Sequence, residues 1–292
     1  MSKTSRRNFL FTAGATAAAT LIINGCSSSR STKSANVAAS GPVSAADAPE
    51  VTTAKLGFIA LTDSAPLIIA KEKGLFAKYG MPDVEVVKQA SWAVTRDNLE
   101  LGSSGGGIDG AHILTPMPYM MTAGTITKTK QPVPMYILAR LNVNGQGITL
   151  ANAYQGLKVD KDSSALKEAF AKAKSGGKEV KCAVTFPGGT HDLWMRYWLA
   201  AGGIDPNKDA SVIVVPPPQM VANLKVNNME AFCVGEPWNA QSVNQKIGYS
   251  AVTTGELWKD HPEKALSLRA DWVDRNPKAA KALLMAVQEA QI

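Results

Sequence analysis

A strand, a glycine turn and a helix follow one another directly in the middle of the chain. The run Val180–Thr185 is apolar and rich in β-branched residues, which is typical of a buried strand. Pro187-Gly188-Gly189 then predicts a tight turn, with Thr190 as the N-cap of the next helix. Apolar side chains recur after it at the i, i+3, i+4 spacing of an amphipathic helix. They are Leu193, Trp194, Tyr197, Trp198 and Ala201.

This turn is a candidate anion site. The start of a helix leaves N–H groups unpaired and carries a partial positive charge, so it can hold a small anion. His191 follows Thr190 and adds a donor on the same side. The alternative is an ordinary turn in which the glycines only permit a sharp bend.

The same alternation extends over most of the chain. Apolar strand-like runs are separated by segments with helical spacing and by Gly or Pro punctuation. The runs are Lys55–Ala60, Val84–Val87, Ile108–Leu114, Pro134–Ala139, Ser211–Val215 and Ala231–Val234. Such alternation predicts an α/β fold in which mostly parallel sheets are flanked by helices.

An internal echo suggests two similar lobes. Asp109 precedes an apolar strand and is followed seven residues later by Pro116. Glu230 also precedes an apolar strand, with Pro237 seven residues later. Two strand–helix units with the same punctuation favour a duplicated arrangement.

The first 26 residues have the pattern of an export signal. Ser5–Leu10 contains Arg6-Arg7, a twin-arginine motif, and a short apolar run follows it. Leu21–Cys26 is similar to a bacterial lipoprotein cleavage box, which predicts lipidation of Cys26. Simple cleavage without a lipid is the alternative. The Ser/Ala-rich residues 27–50 are predicted to be a flexible tether.

Composition excludes several functions. Lys3, Arg6 and Arg7 lie in the signal, so the rest of the chain carries a formal charge of only +4 and shows no basic stripe for nucleic acid. We find no nucleophile elbow and no Cys/His cluster with zinc spacing, so neither a hydrolase nor a metal site is predicted. Cys182 and Cys233 lie in apolar runs, and we expect buried thiols, with a disulfide between them as the alternative in an exported protein.

The aromatic residues and histidines divide into two groups. Trp92 and Trp238 fall at strand-to-helix turns, where open α/β sheets place ligands. The other four tryptophans are predicted to lie in the core. They are Trp194, Trp198, Trp258 and Trp272. His112 is expected to be a core histidine, and His261, before a proline, a surface loop residue.

Several long stretches resemble cyanobacterial nitrate-binding and bicarbonate-binding lipoproteins of ABC transporters. They are Lys55–Asp63, Gly107–Pro118, Phe186–Trp194 and Phe232–Trp238. The resemblance runs from about Val51 to Ala290. It implies a two-lobed periplasmic binding-protein fold (type II-like) with the solute in the cleft, and no cofactor. It also implies a lipid-anchored location on the periplasmic face of the plasma membrane, with permease and ATPase subunits as partners.

The resemblance also implies the ligand residues. In the nitrate-binding relatives the pocket positions correspond here to Trp92, Gln146, His191, Gly235 and Lys264. The bicarbonate binders have an acidic residue where this chain has Lys264, and it recruits a calcium ion. Lysine can neutralise a monovalent anion directly, so nitrate is the predicted ligand, nitrite is close behind it, and bicarbonate with calcium is the alternative. Without the resemblance, Lys264 would be interpreted as a solvated helix residue.

Two further expectations concern the organisation of the chain. Residues 52–140 and 251–292 are predicted to form lobe one and residues 141–250 lobe two, with hinges near Ala139–Asn142 and Ala251–Thr254. Family members continue past residue 292, so part of lobe one is expected to be missing. An enzyme on the same fold is the remaining functional alternative, since thiamin-pyrimidine synthases resemble this superfamily. The cysteine-rich segment that those enzymes use is not present in this sequence.

Overall fold

The structure, a computed structural model, describes residues 47–292, all of which fall within one compact unit. The predicted export signal with Arg6, Arg7 and Cys26, and most of the predicted tether, lie outside the described residues. The last residues of that tether are held in place, because the Glu50 carboxylate accepts hydrogen bonds from the N–H groups of Lys278 and Ala279.

Strands and helices alternate along the described residues. The strands are β1 Thr53–Phe58, β2 Asp83–Lys88, β3 Gly110–Leu114, β4 Met135–Arg140, β5 Gln146–Ala151, β6 Lys181–Val184, β7 Ser211–Val214, β8 Ala231–Gly235, β9 Gly248–Thr253 and β10 Lys264–Arg269. The α-helices are α1 Ala65–Glu72, α2 Leu75–Lys78, α3 Trp92–Leu101, α4 Pro116–Thr122, α5 Ala165–Ser175, α6 Thr190–Ala201, α7 Met220–Lys225, α8 Trp238–Asn244, α9 Thr254–Leu257, α10 Ala270–Arg275 and α11 Pro277–Glu289. Short 3₁₀ turns cover Thr62–Ser64, Ser103–Gly105, Asn152–Leu157 and Pro217–Gln219.

The strands form two five-stranded sheets, one in each lobe. The first has the order β2-β1-β3-β10-β4 and the second the order β7-β6-β8-β5-β9. The fourth position is held by β10 in the first sheet and by β5 in the second. Neither strand is next in sequence to the strand in the third position. The predicted two-lobed α/β fold is therefore confirmed.

Each sheet is mostly parallel, as predicted, but its fourth strand runs antiparallel to the other four. In the first, β1 pairs in parallel with β2 and β3, but β10 runs antiparallel to β3 and β4. The second sheet repeats this pattern, with β5 antiparallel to β8 and β9. The antiparallel pairs arise because β5 and β10 are the strands by which the chain enters one lobe from the other. All three of the strands that the sequence did not predict, β5, β9 and β10, lie in these antiparallel pairs.

The sequence echo marks equivalent strands. The strand after Asp109 is β3 and the strand after Glu230 is β8, and each is the middle strand of its sheet. Both acidic residues are buried. Each is tied to the neighbouring parallel strand, since the Asp109 carboxylate accepts from the N–H of Lys55 and the Glu230 N–H donates to the carbonyl of Lys181. The repeated punctuation thus corresponds to a repeated structural position.

Two segments connect the lobes, and they are hydrogen bonded to each other. The first runs from the end of β4 to β5, and the second from the end of β9 to β10. Asn144 donates its N–H to the His261 carbonyl, and Leu141 donates to the Lys264 carbonyl. The second segment lies later than the predicted hinge at Ala251–Thr254, because residues up to Thr253 still pair in the second sheet. The division of the chain into lobes at 140/141 and 250/251 stays a prediction.

Two apolar clusters form the core. One covers the outer face of the first sheet and includes Leu56, Phe76, Trp272 and Leu283. The other is continuous between the lobes: it contains Trp92 and Leu114 of the first lobe together with residues of the second sheet. The lobes are therefore in contact along the cleft.

Helix α6 buries a different face from the one predicted. Its buried side chains include Met195, Trp198 and Leu199, whereas Leu193 and Tyr197 are about half exposed. The spacing of apolar residues predicted the position of the helix correctly but not which of its faces is buried. Leu193 and Tyr197, on the predicted buried face, line a cavity.

The turn before β3 packs closely against the end of α3, and a glycine substitution there tests how close this contact is. A Cβ added at Gly107 would lie 2.0 Å from the Asn98 carbonyl oxygen at the end of α3, a backbone atom that cannot move without disturbing the helix. We predict that Gly107→Ala lowers the free energy of unfolding by more than about 2 kcal/mol. Urea unfolding followed by circular dichroism measures this change.

Gly105, two residues earlier, is the matched control. Its added Cβ would meet only the Leu101 side chain at 3.6 Å, an ordinary contact. Gly105→Ala should leave stability unchanged or raise it by up to about 1 kcal/mol. Equal effects of the two substitutions would contradict this account of the turn.

Candidate functional site

A buried lysine lies at the centre of the cleft. Lys264 is the first residue of β10 and has no exposed surface. Its Nζ donates to Asp63 Oδ2 at 2.9 Å and to the carboxylate of Glu263, and it lies 5.6 Å from the centre of the Trp92 ring. The interpretation of Lys264 as a solvated helix residue is therefore wrong, since it is a buried strand residue.

Asp63 fixes this ammonium from the first lobe. It follows β1 closely, in a short 3₁₀ turn, and its Oδ1 lies 2.8 Å from His112 Nε2. Burial alone would raise the pKa of Asp63, but the charge of Lys264 and the contact with His112 outweigh it and hold the pKa well below its usual range. His112 is fully buried in β3, as expected for a core histidine, and burial lowers its pKa.

Trp92 lies above the lysine. It is the first residue of α3, and the Ser91 hydroxyl accepts from the N–H of Val94 to cap that helix. The indole is fully buried, and its Nε1–H has no hydrogen-bond partner among the described residues. A buried donor without a partner is costly, so it marks a position where an acceptor would be stabilised.

His191 provides a second donor of this kind. It is the second residue of α6, fully buried, and its Nδ1 lies 2.8 Å from the Thr185 hydroxyl. If the Thr185 hydroxyl donates to Nδ1, the ring proton is on Nε2. Within residues 47–292, Nε2 has no hydrogen-bond partner, and it lies 3.5 Å from Glu263 Oε1. Burial, together with the charge of Lys264, lowers the pKa of His191 well below its usual value, so the ring is neutral at pH 7.

Gln146 and Thr190 complete the ring of polar groups from the second lobe. Gln146, the first residue of β5, donates its amide to Thr190 Oγ1 at 2.8 Å and to the Glu263 carboxylate. The Thr190 hydroxyl in turn donates to Glu263 Oε2 at 2.6 Å. The prediction that Thr190 caps α6 is wrong: Gly189 holds the N-cap position, and the Thr190 side chain turns into the cleft instead.

Gly235 borders the same group of residues. It is the last residue of β8 and is paired with Gln146 across the antiparallel ladder. A Cβ there would lie 3.4 Å from Leu61 of the first lobe. All five predicted ligand positions therefore converge on one region between the lobes, where the lysine supplies the cation and Trp92, Gln146 and His191 supply donors.

Four residues of this region were not predicted as site residues. Asp63, Thr185 and Glu263 were not considered, and Thr190 was given a different role. Each is adjacent in sequence to a feature that was singled out: Asp63 ends the stretch that begins at Lys55, Thr185 directly follows β6 and Glu263 precedes Lys264. What the sequence could not show is that these residues meet at one cleft.

A cavity of about 530 Å³ opens beside the polar cluster. It shares Thr190 with the cluster and is otherwise largely aromatic and apolar. Its other lining residues are Thr115, Pro116, Tyr119, Leu193, Trp194, Tyr197, Trp258, His261 and Pro262. Residues of both lobes line it, so the cavity lies in the cleft next to the buried groups.

Three predictions about these lining residues are wrong. Trp194 is only partly buried, and Trp258 is 62% exposed, although both were placed in the core. His261 is buried rather than a surface residue: its Nε2 lies 2.8 Å from the Thr254 hydroxyl and its ring centre 4.6 Å from that of Trp194. These rings line the cavity wall.

Cys182 and Cys233 lie on the neighbouring strands β6 and β8 and are buried, as predicted, and both are free thiols, a point that the sequence left open. Burial raises the pKa of the Cys182 thiol to about 12. Within residues 47–292, no group of three or more His, Cys, Asp or Glu side chains is arranged to hold a metal ion. No helix in that range combines the length and the apolar character that a membrane span requires.

Comparison with known proteins gives three close similarities. The chain is 68% identical to the nitrate/nitrite binding protein NrtA of Synechocystis, over 99% of this chain and 66% of that protein. It is 46% identical to the bicarbonate-binding protein CmpA of Synechococcus elongatus, over 98% of this chain and 64% of that protein. The crystal structure of the periplasmic nitrate-binding protein NrtA from Synechocystis superimposes with a TM-score of 0.81 and 75% identity, covering 84% of this chain and 62% of that one.

The chain thus spans about two thirds of the length of these relatives. The family model described as the NMT1-like family matches residues 47–292. Because this match covers every residue that the structure describes, the chain belongs to the NMT1-like family.

Proposed function

We propose that the chain is the extracytoplasmic solute-binding component of an ABC importer for nitrate and nitrite. One observation carries this proposal: a fully buried ammonium, Lys264, lies close to two buried donors that have no partner among the described residues, Trp92 Nε1 and His191 Nε2. A small planar anion with several acceptor oxygens would satisfy all three groups. The 68% identity to a protein named as nitrate/nitrite binding supports the choice of anion.

The charge at position 264 favours nitrate over bicarbonate. A fixed ammonium attracts a monovalent anion without any metal, whereas a carboxylate at this position would need a cation such as calcium to bridge it to the anion. Nitrate also has acceptors only, which suits a site whose free groups at pH 7 are donors. Bicarbonate, with its own O–H donor, would place a hydrogen against one of them.

The site is suited to binding rather than to catalysis. His191 is neutral and fully buried, and the thiols of Cys182 and Cys233 are protonated because burial raises their pKa values. None of these groups is an activated nucleophile at neutral pH. We therefore propose that the solute is bound and released unchanged, and that the permease and ATPase subunits of an importer are the partners.

The proposed location is the periplasmic face of the plasma membrane, with a lipid on Cys26. Arg6-Arg7 would direct export, and residues 27–46 would connect the anchor to the folded lobes. Solute binding would then close the two lobes about the hydrogen-bonded segments that connect them.

We predict that Lys264→Gln weakens nitrate binding by about 2–5 kcal/mol, because it removes the cation beside the buried donors and leaves the Asp63 carboxylate uncompensated. Titration calorimetry of the purified chain with nitrate measures the change. Lys71→Gln is the control, since Lys71 donates to the Val84 carbonyl away from the cleft. Binding of bicarbonate only in the presence of calcium, with no heat from nitrate, would sink the assignment.

We predict that His191→Ala weakens nitrate binding by roughly 1–3 kcal/mol, the value for a lost hydrogen bond to a charged group. Thr185→Val should weaken it by a smaller amount, since the imidazole stays but the hydroxyl that directs its proton to Nε2 is lost. His112→Asn is not a suitable control because His112 contacts Asp63. His261→Gln is not suitable either, because His261 lines the cavity and contacts Thr254, which donates to the Gln146 carbonyl, so Lys71→Gln serves as the control again. A change of a few tenths of a kcal/mol for His191→Ala would show that the ring is structural only.

We predict that Arg6→Lys combined with Arg7→Lys retains the precursor in the cytoplasm, and that Cys26→Ser releases soluble protein from the membrane. Cell fractionation with immunodetection distinguishes the two outcomes. Mass spectrometry of the mature protein is the decisive measurement, because an unmodified Cys26 within an intact chain would rule out the lipid anchor.

A further inference from the structure

Glu263 is a fully buried carboxylate that crosses the cleft. Its backbone belongs to the first lobe: the N–H donates to the Asn142 carbonyl, and the carbonyl accepts from the N–H and the hydroxyl of Thr115. Its side chain has no exposed surface and contacts residues of the second lobe, Gln146 and Thr190. Binding of a small anion does not by itself require a carboxylate at this point.

The partners of this carboxylate are the groups that would hold the anion. Gln146 and Lys264 both donate to it, and His191 Nε2 lies 3.5 Å from its Oε1. A carboxylate resembles nitrate in being planar, monovalent and an acceptor of hydrogen bonds through coplanar oxygens. Glu263 therefore occupies, with its own oxygens, the place where a small planar anion would be bound.

We propose that Glu263 is an intramolecular competitor for the anion site, so that its carboxylate must leave the donors before nitrate can bind. The inference rests on the proposed function, since it assumes that the site takes a small anion. It assigns Glu263 a role in setting affinity: the protein binds its ligand only from the fraction of molecules in which this side chain has moved away.

The charges in the cleft support displacement. The groups that face Glu263 are Lys264 and Asp63 from the first lobe and His191 from the second, with His112 behind Asp63. His191 is neutral, so Lys264 is the one cation among them. With Asp63 and Glu263 both ionised, a bound anion would place three negative groups around one ammonium in a buried space. Exchange of the Glu263 carboxylate for the anion leaves the charge of the cleft unchanged.

The cavity provides a place for the displaced side chain. Pro262, which precedes Glu263, and Thr190, which donates to it, both line the 530 Å³ cavity. A rotation of the Glu263 side chain when the lobes separate would bring its carboxylate into this open space, where water can solvate it. The backbone hydrogen bonds to Asn142 and Thr115 need not break.

The test compares nitrate affinity in four proteins by titration calorimetry of the full chain: wild type, Glu263→Gln, Glu263→Ala and the control Glu230→Gln. Glu230 is also a buried glutamate, held by the Tyr154 hydroxyl and Lys178 away from the cleft. The side-chain amide that Glu263→Gln introduces presents donors toward donors and competes poorly. We expect Glu263→Gln to bind nitrate about tenfold more tightly or better, since it frees the occupied fraction of sites, and Glu230→Gln to match wild type.

Formate supplies an independent measurement, because it is a free planar carboxylate without a side chain attached. We expect Glu263→Ala to bind formate detectably and wild type to bind it far more weakly. Thermal unfolding of each variant with and without the anion shows whether it is folded and bound. Equal or weaker nitrate affinity in Glu263→Gln, in a folded protein, would overturn the proposal, and weaker affinity would make Glu263 a residue that supports binding instead.

The outcome also separates this inference from the proposed function. If wild type, Glu263→Gln and Glu263→Ala all fail to bind nitrate, the choice of nitrate is wrong. The formate comparison then still decides whether Glu263 occupies an anion site. If nitrate binds only after Glu263 is replaced, both the site and the competition are supported.

Discussion

The rest of the site depends on one buried ammonium. Lys264 has no access to solvent, so its charge must be compensated inside the protein. Asp63 compensates it from the first lobe, and His112 holds Asp63 in place at 2.8 Å. Among the described residues, this arrangement neutralises the lysine but leaves Trp92 Nε1 and His191 Nε2 without partners. Glu263 also accepts from Lys264, so the cleft combines a cation held by two carboxylates with two donors that have no partner there.

The two segments that connect the lobes lead directly into residues of the candidate ligand site. Glu263 and Lys264 end the segment that returns to the first lobe, and Gln146 begins the strand that enters the second. The two segments are joined by hydrogen bonds at Leu141 and Asn144. Any change in the angle between the lobes therefore moves the cation and Gln146 relative to one another. In the proposed function the ligand would contact residues beside these segments directly, so coupling of binding to lobe closure would need no relay through the core.

The sequence predicted the alternation of strands and helices because each parallel strand is an apolar run bounded by Gly or Pro. It failed for β5, β9 and β10. Gln146-Gly147 opens β5 with a polar residue and a glycine, and Lys264 opens β10 with a charge, so neither looks like a buried strand. Two of these exceptions carry candidate ligand positions. The ligand positions came from resemblance, whereas Asp63 and Glu263 became apparent only from three-dimensional contacts, since 200 residues separate Asp63 from Glu263.

Selectivity among anions in such a cleft would depend on the hydrogen-bond donors that have no protein partner. The Lys264 ammonium already donates to the Asp63 carboxylate. Its remaining attraction would act on any small monovalent anion and would not distinguish one from another. Discrimination must come from the direction of the remaining N–H groups. When the Thr185 hydroxyl donates to Nδ1, the neutral imidazole of His191 carries its proton on Nε2 and presents a donor to the cleft. An anion that brings its own proton would meet a donor there. If the site binds an anion as proposed, the Thr185 hydroxyl would take part in the selection through its contact with the far side of the imidazole.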